Sequence, residues 1–176
     1  KGDIRNKKKL FSINNKIDTV IHLAYVNGTK FFYNKPLEVL DIAVNGLLNI
    51  LDFSKKKKIK NFFLASSSEV YQNPIKIPTD EKEMLKIPNI HNPRYSYGGG
   101  KIISELYGLY FAKKYFKKFV IFRPHNVYGK DMGNDHVIPE FINRFKKLKK
   151  NNKFLIYGTG KEIRSFIYID DFISGF

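Results

Sequence analysis

Short apolar runs rich in β-branched and aromatic residues alternate along this chain with longer stretches whose apolar residues recur at helical spacing. Asp18–Ala24 reads as a buried strand. Pro36 opens a helical stretch, Leu37 to Lys57; proline suits a first turn because its missing N–H would have no partner there. Asn61–Ser66 reads as strand, Tyr97–Phe116 as helix, Phe119–Arg123 as strand, Pro139–Lys150 as helix and Phe166–Ile169 as a last short strand. Between Ser66 and Tyr97 lie Pro74, Pro78, Pro88 and Pro93, so that segment is too long and too turn-rich for a simple connection. Such alternation predicts βαβ units and an α/β fold whose parallel sheet is covered on both faces. Ligands of such sheets bind beyond the carboxyl ends of the strands. Ala24-Tyr25, Ser66–Glu69 and His125-Asn126 follow directly on apolar runs, which predicts a cleft there.

At 176 residues and 43% hydrophobic, the chain can bury a core for one domain or one and a fraction. Its 32 Lys and Arg against 16 Asp and Glu give a net charge of +16. Clustered cations gain affinity for nucleic acid by releasing counterions, but base readout and bidentate phosphate clamps favour arginine. Here arginine occurs only at Arg5, Arg94, Arg123, Arg144 and Arg164, and the lysine runs 55–58 and 146–150 fall at the ends of helical stretches. A solvated lysine surface is the expectation, and a basic nucleic-acid-binding module the remote alternative. The longest apolar run, Val20–Val26, is interrupted by His22 and falls far short of the roughly 20 residues of a membrane helix. No charged-then-apolar leader follows Lys1, so a cytoplasmic location without membrane contact is expected. Without cysteine there is no disulfide framework or thiolate site, and the four histidines show no metal-ligand spacing, so no metal is expected.

Tyr97-Gly-Gly-Gly-Lys101 is the sharpest chemical feature. Positions i and i+4 share a helix face, so an ammonium one turn from a phenol would lower the phenol pKa towards the range of a general base. The intervening glycines are poor helix residues and make sense where something must approach the backbone closely, or where they mark a turn. Together with Ser66-Ser-Ser-Glu-Val-Tyr71 and Arg123-Pro-His-Asn-Val-Tyr-Gly129, this pair resembles the extended short-chain dehydrogenase/reductase family, the NAD-dependent nucleotide-sugar epimerases and dehydratases. The resemblance runs along almost the whole chain, through Gly2–Arg5, through His22-Leu23-Ala24 and through Gly158-Thr-Gly160 to Arg164 and Asp170.

The resemblance implies a Rossmann-like doubly wound sheet, lacking its first two βα units, with the start of a smaller substrate domain. It places a partial dinucleotide-binding domain at 1–129, substrate-binding sequence at 130–163 and a segment returning to the sheet at 164–176. Tyr97 would be the base, Lys101 would hold the nicotinamide ribose and depress the Tyr97 pKa, and Ser67 would share the substrate hydroxyl, with Glu69 beside it. Asp3, Ile4, Leu23, Ala24, Tyr25, Tyr97, Lys101 and His125 would contact NAD, with NADP left open. Ser67, Asn126, His136, Val137 and Arg164 would contact a nucleotide-diphosphate sugar, and the full-length protein would be a homodimer.

Departures qualify the resemblance. The Gly-x-x-Gly-x-x-Gly phosphate loop is not in this sequence, so an internal fragment, inactive alone, is expected. Ala43 and Ile42 replace asparagines common in the family helix. The dehydratase Asp-Glu pair is Ser68-Glu69 here, which favours epimerisation through a keto-sugar over 4,6-dehydration; UDP-glucuronate decarboxylases carry a similar hydroxyl-Ser-Glu run.

Overall fold

The computed structural model of the protein describes residues 1–134, 136–150 and 152–176. The chain divides into two compact units, Lys1–Pro124 and His125–Phe176.

The first unit holds a parallel sheet in the order β1 (Thr19–His22), β2 (Asn61–Ala65), β3 (Lys118–Phe122). Val20 lies opposite Phe62, and Phe62 opposite Phe119, so apolar side chains run in register across all three strands. Before β1 comes α1 (Lys7–Phe11), whose Leu10 is buried and whose first turn is capped by the Asn6 side chain. The β1–β2 crossover contains α2 (Thr29–Asn34), α3 (Pro36–Asp41), a wide π-turn at Ile42–Gly46 and α4 (Leu47–Lys56). Where one continuous helix was expected, the π-turn bears on its neighbours through Gly46, against which Ile4 packs, and Ala43, which abuts Gly100. The face of α4 carrying Leu47, Ile50, Leu51 and Phe53 closes over Phe62 and Leu64 of β2 to make the core. Helix α5 (Tyr95–Tyr115) forms the β2–β3 crossover and includes the three glycines, which therefore lie within a helix and not in a turn.

The second unit pairs β4 (Asn126–Tyr128) in parallel with β5 (Phe166–Tyr168). It also contains α6 (Val137–Lys146) and α7 (Ile169–Gly175). Phe141, Phe145 and Phe154 cluster beside α6, with Phe145 and Phe154 stacked at 3.9 Å. Among the described residues, no helix is long and apolar enough to cross a membrane.

Candidate active site

The carboxyl ends of β1 and β2 and the first turns of the β2–β3 crossover helix deliver the side chains singled out in the first unit. Immediately after β2, Ser66 and Ser67 are buried. The Ser67 hydroxyl accepts from the Glu69 backbone N–H at 3.2 Å, capping the single 3₁₀ turn Ser68–Val70. That cap fixes the hydroxyl, which acts on the neighbouring Tyr97 phenol in the direction that favours its ionised form.

Tyr97 lies in the first turns of α5. Its ring stacks on Phe32 at 4.8 Å and meets Tyr25 edge-on at 5.2 Å. Burial raises the phenol pKa, the Ser67 hydroxyl lowers it and the Glu69 charge raises it again. The depression expected from Lys101 is therefore not observed. The Lys101 ammonium donates to the Ala65 carbonyl at 2.7 Å and lies over the Tyr25 ring at 3.9 Å, against 5.6 Å for the Tyr97 ring. Lys101 is 4% exposed, and burial pushes its pKa down to about 7, with Glu105 pulling it back up.

What approaches the glycines is the protein itself. A Cβ on Gly98 would meet the Glu69 carbonyl at 3.2 Å, and one on Gly99 would meet Ile87 at 3.2 Å. At Gly100 it would run into the Tyr25 hydroxyl and lie 2.8 Å from the Ala43 methyl. Glycine there lets α5 lie against Tyr25 and the π-turn at once, which sets the depth of Tyr97 and Lys101 in the site. The Tyr25 hydroxyl and the Ser66 hydroxyl are buried with no hydrogen-bond partner, and burial raises the Tyr25 pKa.

Asp3 and Ile4 belong to the same unit. The Arg5 guanidinium chelates Asp3 at 2.7 and 3.1 Å and holds its carboxyl below the usual range. Arg5 also reaches Asp41 at 3.1 Å. The Ile4 carbonyl accepts from the Asn49 amide at 3.1 Å. Leu23 and Ala24 are exposed just beyond β1. The other named residues lie in the second unit. The Asn126 amide donates to the Ser165 carbonyl at 3.0 Å, tying β4 to the start of β5. His125 and Arg164 are exposed, and the Arg164 guanidinium donates to the Ile163 carbonyl at 2.8 Å. His136 and Val137 form the N-cap and first residue of α6.

Four contributors escaped the sequence reading. Phe32 stacks on the base candidate, and Arg94 pairs with Glu69 at 3.4 Å from three residues before Tyr97. Glu105, 2% exposed, is clamped by Arg123 at 2.6 and 2.8 Å, and Arg123 also donates to the Tyr71 hydroxyl at 2.7 Å. One signal was available: Glu105 stands four residues after Lys101, the spacing at which opposite charges meet on a helix. Among the described residues, no group of three or more His, Asp or Glu converges where a metal could sit.

A sequence model of the NAD dependent epimerase/dehydratase family matches residues 1–176. The chain is 32% identical over 193 residues to the dTDP-D-glucose 4,6-dehydratase of Dictyostelium discoideum, covering 100% of this chain and 42% of that protein. It is 32% identical over 171 residues to the UDP-N-acetyl-alpha-D-glucosaminuronate decarboxylase of Bacillus cytotoxicus, covering 96% of this chain and 51% of that one. The solved UDP-glucose 4-epimerase of Thermotoga maritima, in complex with UDP-glucose, matches with a TM-score of 0.84 at 26% identity, over 98% of this chain and 55% of that one. The α/β class expected from the alternation is the fold these matches share. The chain spans about half the length of the curated relatives it matches.

Proposed function

The chain belongs to the NAD dependent epimerase/dehydratase family, and from that premise we propose that the protein is a nucleotide-sugar epimerase working through a transient keto-sugar. The observation that carries this is the convergence of the buried Ser67 hydroxyl, just after β2, with the half-buried Tyr97 phenol of α5, whose ionised form that hydroxyl favours. Two adjacent oxygens of that kind can share one sugar hydroxyl and take its proton.

The residues present fit a dinucleotide. Ala24 is exposed beyond β1, Ser66 carries a buried hydroxyl without a partner, and the Lys101 ammonium gives the Ala65 carbonyl one of its three N–H groups. Asp3, Ile4, Leu23, Ala24, Tyr25, Tyr97, Lys101 and His125 are the residues we assign to it. A nicotinamide supplies reversible two-electron oxidation at the sugar carbon. Tyr97 takes the hydroxyl proton, Ser67 orients the hydroxyl, and Phe32 and Tyr25 pack on the Tyr97 ring and hold it in place. Asn126, His136, Val137 and Arg164 are assigned to the nucleotide-diphosphate sugar.

A proton must leave Tyr97 before it can act as base, and burial opposes that. Activity should therefore rise with pH into the alkaline range. Ser67→Ala removes the hydroxyl that favours phenolate, so its rising limb should lie at higher pH than that of the wild type. An unmoved limb would take Ser67 out of the proton transfer. Tyr97→Phe in the natural full-length protein should cost about 10²–10⁴-fold in turnover with nucleotide-sugar binding kept. Turnover at the wild-type rate would overturn the proposal.

A second reading is 4,6-dehydration or decarboxylation, and the Glu69 carboxylate held beside the site by Arg94 favours it. Elimination needs a base for the proton on the carbon next to the ketone, and an amide cannot accept it. Glu69→Gln should lower epimerisation only modestly; a variant that stalls at the oxidised sugar would make the protein a dehydratase. We also carry forward a homodimer and a cytoplasmic location. The exposed apolar ridge of Ile103, Leu106, Tyr107 and Tyr110 on α5 supports the former, which sedimentation of the full-length protein tests.

A further inference from the structure

We propose that Tyr25 is a positioning residue for Lys101: its ring face is the seat that fixes the ammonium and keeps it charged inside the buried site. Three contacts define that seat. The ammonium stands 3.9 Å from the Tyr25 ring centroid, it is tied from the other side to the Ala65 carbonyl at 2.7 Å, and the ring is braced edge-on by Tyr97 at 5.2 Å. An ammonium is drawn to the negative face of an aromatic ring, and most strongly where water is excluded, as it is around a lysine that is 4% exposed.

The hydroxyl of Tyr25 has no part in this. It is buried without a partner and pressed on the α5 backbone at Gly100. The ring does the holding, and its position is set by the missing side chain at residue 100. The groups that face Lys101 are few. Glu105, one turn further along α5, attracts the ammonium, but its carboxylate is shared with Arg123 at the end of β3. His22, at the end of β1, is kept neutral by burial. Among the described residues, the phenols of Tyr25 and Tyr97 also neighbour the ammonium. With the attractive carboxylate already clamped, the Tyr25 ring supplies the stabilisation that offsets desolvation of the ammonium.

Calling Tyr25 a positioning residue rests on the role proposed for Lys101; the seat itself does not, and the test separates the two. Lysine labelled with ¹³C at Cε reports the protonation of Lys101 by NMR titration, with Lys101→Arg assigning its signal. The series is wild type, Tyr25→Phe, and Tyr25→Phe with one, two and three fluorines on the ring. Fluorination drains the negative face while keeping the ring's shape, so folding is not at issue. Wild type and Tyr25→Phe should titrate within about 0.3 of a pKa unit of each other. The fluorinated rings should lower the Lys101 pKa stepwise, by about one unit in all, a tenfold change in its protonation equilibrium. A fluorinated series that titrates like plain Tyr25→Phe overturns the proposal, and so does a full-unit change on losing the hydroxyl alone. Failure of the epimerase proposal would appear instead as turnover surviving in Tyr97→Phe, with the Lys101 titration untouched.

Discussion

His22 and Lys101 face each other in the first unit, and burial acts on both bases in the same direction. His22 is pushed down to about 4 by burial and by the Lys101 charge. The folded protein therefore refuses a proton that the unfolded chain accepts between about pH 6.5 and about pH 4. Stability is unaffected above that window and falls as pH drops through it, by on the order of 3 kcal/mol for this residue. Urea unfolding at the two ends of the window should show a smaller loss in His22→Gln than in wild type, and equal losses would remove His22 as the cause. Lys101, depressed to about 7, acts in a different range: its contribution to stability grows as pH rises from about 7 towards the ordinary lysine value. Gly100→Ala is the sharpest packing test. The added methyl collides with the Tyr25 hydroxyl and the Ala43 methyl, and overpacking of this kind costs about 1–3 kcal/mol. Denaturant midpoints should fall accordingly, although alanine is the better helix former.

Helix α5 is the element that unites core and site. Its C-terminal half lies on the sheet at Gly108, where a Cβ would lie 2.6 Å from the Phe119 ring and 3.2 Å from Leu64. Phe119 packs in a cluster with Phe62 and Phe116, which its ring would have to disturb in order to give way. Gly108→Ala should therefore destabilise the protein by about 1 kcal/mol net, overpacking outweighing the helix propensity gained. Increased stability would mean that the ring swings aside. The strands were legible because Val20, Ile21, Phe62 and Leu64 fall in short β-favouring runs, and α4 because Leu47, Ile50 and Leu51 keep a helical period. The π-turn was not, since Ile42 and Ala43 continue that period and only contact with Ile4 and Gly100 reveals the wider turn. Short α2 escaped because a six-residue helix has too few turns to show a period. Of the candidate site, Tyr97 and Lys101 were legible from their spacing, and Ser67 through the resemblance. The Tyr25 seat was not, because it depends on where β1 ends relative to α5.

The whole molecule carries a charge of +16, most of it on lysine. The few surface ion pairs, such as Lys7 with Asp52 at 2.9 Å, involve exposed side chains and are worth little. Self-repulsion should dominate, so the thermal midpoint should rise as salt increases from about 10 mM to about 150 mM. A falling midpoint would mean that attractive pairs outweigh the repulsion. The boundary between the units, after Pro124, was hidden in the sequence because Arg123 to Gly129 reads as one motif; the structure ends β3 at Phe122 and begins β4 at Asn126. That boundary also sorts the assigned roles. Every group assigned to proton transfer precedes residue 125; of those assigned to the sugar nucleotide, Ser67 precedes it, and Asn126, His136, Val137 and Arg164 follow it. Recombination at this point would exchange most of the contacts proposed for the sugar nucleotide while inheriting intact the groups proposed to move the proton, so that substrate range could diversify across descendants without the chemistry having to be reinvented.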